Sequence, residues 1–217
     1  MTDLTIDAGP AEAAEEKLPF GLSRRKLFVG AGLAAAAGVV AACGDDDDGG
    51  GGALEEDPTD GDVEIAEFAA SLELLAVNTY GAALEAATAG SLGAVPPAVA
   101  EFVTVAMAQH QEALTAWNGV VGEDATETPE DLQATVTEMF GAVTDVTGAA
   151  RLALLLEQIA ADTYLDAIGK LESTAGVALA GSILPIARQH QSILLFVLGE
   201  YPVPEVFATT EQSAVPG

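Results

Sequence analysis

The chain has 217 residues with 34 acidic side chains against 7 basic ones, a formal net charge of −27. A field of that sign excludes nucleic-acid binding and repels anionic lipid, since both need a cationic surface. One cysteine excludes an intrachain disulfide.

Residues 1–42 read as an export signal. Ser23-Arg24-Arg25-Lys26-Leu27-Phe28 sets the paired Arg24 and Arg25 ahead of a short Ala/Gly-rich apolar run, the pattern of the route that carries folded proteins. The run from Leu27 to Ala42 is too short and too rich in small residues for a membrane span. It ends in Val40-Ala41-Ala42-Cys43-Gly44, which resembles the lipobox of exported lipoproteins, where the cysteine is lipidated and becomes the mature N-terminus. Cys43 is therefore expected to anchor the protein outside the cytoplasm, at the cell surface or in the cell envelope. The membrane, reached through this lipid, is the one partner the sequence specifies; a homodimer is compatible with it, and no motif points to another protein. Cleavage leaves Arg151, Lys170 and Arg188 as the only bases, a self-repulsion that high salt relieves.

Residues 43–62 form an acidic, glycine-rich tether. Asp45 to Asp48 are followed by four glycines, and such a run has nothing with which to bury a core. Residues 63–200 read as one all-α domain. The first helix, 63–89, turns Ile65, Phe68, Ala69, Leu72, Ala76, Tyr80 and Leu84 to one face. Ser91-Leu92-Gly93 breaks it, and Pro96-Pro97 suits the start of a second helix that runs to Val120 with Val103, Ala106, Met107, His110, Leu114 and Trp117 inward. A crossover over 122–145 carries a short helix at 130–140. The third helix, 148–172, directs Leu152, Leu156, Ile159, Thr163 and Ile168 inward; the fourth, 175–199, directs Ile183, Ile186, His190, Ile193 and Val197 inward, with Pro185 kinking it or delaying its start. Residues 201–217 are a C-terminal tail. The expected architecture is a four-helix bundle of two helix hairpins joined by the long crossover.

The only two histidines both sit in Gln-His-Gln triplets, His110 in the second helix and His190 in the fourth. The first and third helices each place a glutamate seven residues before a tyrosine, Glu73 with Tyr80 and Glu157 with Tyr164, two turns apart on the apolar face. The recurring order Glu, His, Glu, His indicates a duplicated hairpin. Ionised glutamates in an apolar stripe are costly unless paired. Two carboxylates and two imidazoles are reconciled by a divalent cation, by glutamate–histidinium pairs, or by a protonated carboxyl. Carboxylate with imidazole suits iron, manganese or zinc. Gln109, Gln111, Gln189 and Gln191 flank the histidines and are expected at solvent or at an interface.

This pattern resembles the ferritin-like superfamily of carboxylate-bridged di-iron bundles, over the whole of residues 63–200. The resemblance makes Glu73, His110, Glu157 and His190 the metal ligands; Tyr80 and Tyr164, two turns from the glutamates, are expected either to donate hydrogen bonds to the carboxylates or to fill the core. The family's bridging glutamates, three residues before each histidine, are replaced by Met107 and Ala187. Two ions 3.5–4 Å apart need shared ligands, so the resemblance implies at most one four-coordinate divalent ion and argues against ferroxidase catalysis. The alternative is a metal-free structural or interaction lipoprotein that keeps the quartet as a hydrogen-bonded core. Nucleophilic catalysis lacks a candidate, no glycine loop cradles phosphate, and an iron-storage cage conflicts with a lipid tether.

Overall fold

The computed structural model describes residues 58–216, which are helical without any strand. The helices are α1 (Asp60–Thr88), α2 (Pro97–Val121), α3 (Glu130–Gly141), α4 (Val146–Lys170) and α5 (Thr174–Val197). Arg24, Arg25 and Cys43 lie outside the described residues.

Helix α1 starts three residues ahead of the first apolar position, because Thr59 and Asp62 form a capping box. Asp62 N–H donates to Thr59 Oγ1 at 3.2 Å and Thr59 N–H donates to Asp62 Oδ2 at 3.1 Å. The same carboxylate accepts from the N–H groups of Glu172 (2.8 Å) and Ser173 (3.1 Å), so one buried side chain ties the start of α1 to the α4–α5 turn. Pro97 opens α2, where its missing N–H costs nothing, and Gly122 closes it in the left-handed region at φ +86°. Ser173 caps α5 by accepting from Gly176 N–H, and a Cβ at Gly176 would stand 2.8 Å from Ser173 Oγ.

Helix α1 packs on α2 and α4 on α5; α1 also meets α4 and α2 meets α5, which closes a four-helix ring with α3 against α4. The core is small-residued along α1 and α4, with Ala66, Ala69, Ala160 and Ala161 admitting Leu72, Trp117 and Tyr164. Val136 of α3 seats on Leu75, Leu152 and Leu156. Truncating a side chain as enclosed as Leu75 costs about 3 kcal/mol.

Helix α5 departs from the expected pattern. It runs continuously through Pro185, with no late start. Its inward face is Ala180, Ala187, His190, Gln191 and Leu194, whereas Ile193 and Val197 are exposed. The tail folds back along α4: Thr209 Oγ1 and Gln212 N–H donate to Asp162 Oδ2, Ala214 N–H to Thr163 Oγ1, and Ser213 Oγ to Asp166. Arg188 of α5 donates to the other Asp162 oxygen at 2.7 Å. No described helix is long and apolar enough to cross a membrane.

Candidate metal centre

Glu73 on α1, His110 on α2, Glu157 on α4 and His190 on α5 are all buried, and one hydrogen-bond network joins them. The helical registers explain the convergence. Each side chain sits on the apolar stripe of its helix, so the packing that buries the leucines and alanines carries the polar groups inward with them.

His110 spans the two carboxylates. Its Nδ1 lies 2.6 Å from Glu73 Oε2 and its Nε2 lies 3.0 Å from Glu157 Oε1. His190 Nδ1 meets the same Glu157 oxygen at 3.1 Å, and its Nε2 meets Gln109 Oε1 at 2.7 Å. The tyrosines cross over between helices: Tyr80 of α1 donates to Glu157 Oε1 of α4 at 2.6 Å, and Tyr164 of α4 donates to Glu73 of α1. A residue of each helix thus meets the earlier part of the other, so α1 and α4 run antiparallel. Trp117 Nε1–H donates to Tyr164 Oη at 3.0 Å. Tyr80 stacks on the His110 ring, with centroids 5.4 Å apart, and Phe102 meets His190 edge-on.

Burial works against charge on His110, but the flanking Glu73 and Glu157 carboxylates push its pKa up to about 10. Burial would raise Glu157, yet His110 and the bonds from both histidines hold it down at about 2. Burial and the adjacent carboxylates keep both tyrosines well above their ordinary value, so they remain donors.

Three of the four ring nitrogens face carboxylate oxygens, and the fourth, His190 Nε2, faces the Gln109 side-chain amide. His110, with a carboxylate at each nitrogen, needs one ring proton more than a neutral imidazole carries. An added proton on His110 meets that need; a divalent cation beside the two carboxylates would balance their charge instead. Glu157 Oε2 is buried and has no hydrogen-bond partner, which leaves it a free electron pair. One ligand atom each from His110, Glu157 and His190 lies within 4.8 Å of the others, a group that could hold a metal ion. Glu73 stands outside this group, its oxygens taken by His110 and Tyr164. The donor set fits one ion of the nitrogen-and-oxygen-binding kind. It does not fit a bridged pair, since Ala187 is buried and apolar and Met107 is a half-buried thioether.

Gln109, Gln111 and Gln189 are exposed, as expected, whereas the burial of Gln191 corrects the sequence reading. Gln109 accepts from His190, and Gln191 is buried with Nε2–H donating to the Glu157 carbonyl at 2.7 Å while Arg188 donates to its Oε1. Their place beside each histidine in the triplets was the available signal; the partners they reach lie on other helices.

No curated protein and no solved structure matches the chain. A family described as a ferritin-like domain matches residues 61–200, which take in α2 through α5, all but the first residue of α1, and every residue of this centre. The chain belongs to the ferritin-like domain family.

Proposed function

We propose that this is an exported, lipid-anchored ferritin-like protein whose core binds one divalent cation, iron, manganese or zinc, through His110, Glu157 and His190, with Glu73 balancing charge through His110. The observation that carries the reading is the convergence of His110 and His190 on Glu157 beside an unpartnered Glu157 oxygen. When bound, the ion would supply Lewis acidity or, as iron or manganese, a one-electron couple. The chain's residues hold and shield the site: Tyr80 and Tyr164 orient the carboxylates, and Gln109 accepts the His190 Nε2–H so that Nδ1 is presented inward. Without bridging carboxylates at positions 107 and 187, ferroxidase catalysis is not expected.

Elemental analysis of the purified protein tests this: one transition-metal ion per chain is expected, lost in His190→Ala and Glu157→Gln. Absence of metal from wild type after incubation with zinc, manganese and ferrous iron would sink the reading. Arg24-Arg25 and the Leu27–Cys43 segment support export and anchoring; detergent phase partitioning should move Cys43→Ala from the detergent to the aqueous phase, and unchanged partitioning refutes the anchor. A second reading, a metal-free structural or interaction protein, is favoured by one feature. A protonated His110 already bridges both carboxylates.

A further inference from the structure

We propose that the cleft between α2 and α5 is the route by which a divalent cation reaches the buried histidines, with Gln109 as its gate; this rests on the one-ion reading above. Two cavities open along the groove between these helices. One, of about 300 Å³, has buried Glu73, His110 and His190 at its floor and exposed Glu112 at its mouth. The other, of about 360 Å³, is lined by Phe102, Val105, Ile193 and again by His190. Gln109 lines both, and its 2.7 Å bond to His190 lies on the boundary. Gln109 is exposed whereas His190 is buried and packed against Phe102, so the glutamine is the partner free to swing.

Small residues form part of the first cleft's wall, beside Leu179, Ile183 and Ile186 of α5. Ala113 and Ala116 line it from α2, and Ala187 from α5, where the resemblance expects a glutamate that would reach into the core. The residue change that removes a bridging ligand thus also leaves space above the site. Glu112 at the mouth of one cavity and Glu101 beside the other give the entrances a negative field, which favours cations and opposes anions. An apolar cavity of about 50 Å³ behind Tyr80 offers no comparable path, because its lining cannot replace the water of a hydrated ion.

Cobalt(II) uptake by the full chain, followed by its visible absorption in stopped flow, tests the route. Ala116→Phe narrows the cleft at a half-buried position and should slow loading and release together by about tenfold, leaving Kd unchanged. Glu112→Gln, on the exposed face, should lower the loading rate about threefold, flatten its salt dependence and leave release unchanged. Gln109→Ala should speed both loading and release. Wild-type rates in Ala116→Phe and Glu112→Gln overturn the route, and unchanged exchange in Gln109→Ala overturns the gate. Wild type that binds no cobalt overturns the one-ion reading itself and leaves the route without cargo. Glu112→Gln keeps the test decisive if the phenylalanine variant fails to fold.

Discussion

His110, held between Glu73 and Glu157, gives the metal-free protein a pH signature. Its pKa is raised from 6.5 to about 10, so the stabilisation from the pair is complete below pH 6.5 and is lost as pH rises through 10. Glu157, lowered from 4.5 to about 2, contributes above pH 4.5 and loses its contribution as pH falls toward 2. Thermal melts of the chelated protein should show a plateau between these limits and a fall on either side. His110→Gln should abolish the alkaline limb and cost about 3–5 kcal/mol, since both buried carboxylates lose their counter-charge. A divalent ion reverses the alkaline trend, because it displaces the ring proton and binds more tightly as pH rises. At a hundredfold excess over Kd it should add about 2.7 kcal/mol, or about 5–10 °C in a domain of this size. A melt indifferent to pH from 6.5 to 10 contradicts the clamped histidinium.

At the scale of elements, the consequences sit on α2 and α5 three residues before each histidine. Met107→Glu with Ala187→Glu should raise the metal stoichiometry from one ion to two, as measured by elemental analysis. The same double variant, stripped of metal, should melt well below wild type, because two further carboxylates enter an apolar interior without partners. A stoichiometry that stays at one means the helices no longer hold the geometry for a pair. The five helices and the convergence of Glu73, His110, Glu157 and His190 were legible in the sequence, because apolar periodicity and the Glu–Tyr and Gln-His-Gln spacings are local signals. The start of α1 was not: Thr59 and Asp62 resemble the acidic tether before them, and the N–H groups that fix Asp62 belong to Glu172 and Ser173, far along the chain. The inward face of α5 was misjudged for a related reason. Ile193 has the greater hydrophobicity, yet close helix approach favours Ala180 and Ala187, which turns Gln191 and Leu194 to the core. Gln109 and Gln191 escaped because a polar residue's long-range partner leaves no periodic trace.

For the whole molecule, the crossed tyrosines have a further consequence. Each hairpin supplies a histidine to its own glutamate but not the phenol: Tyr164 serves Glu73 and Tyr80 serves Glu157, while His110 reaches both carboxylates. Detaching one hairpin would strip a phenol from each carboxylate at once and expose Trp117, which is bonded to Tyr164. Local opening confined to one half is therefore penalised on both sides of the parting surface. Native-state hydrogen exchange should show amides around Glu73 on α1 and around Glu157 on α4 opening with one common free energy, with Tyr80→Phe and Tyr164→Phe lowering both equally. Protection factors that differ between the two helices would mean that the halves breathe separately. The hydroxyls that position the carboxylates thus also act as reciprocal latches, making the domain's cooperativity and the integrity of its centre one property.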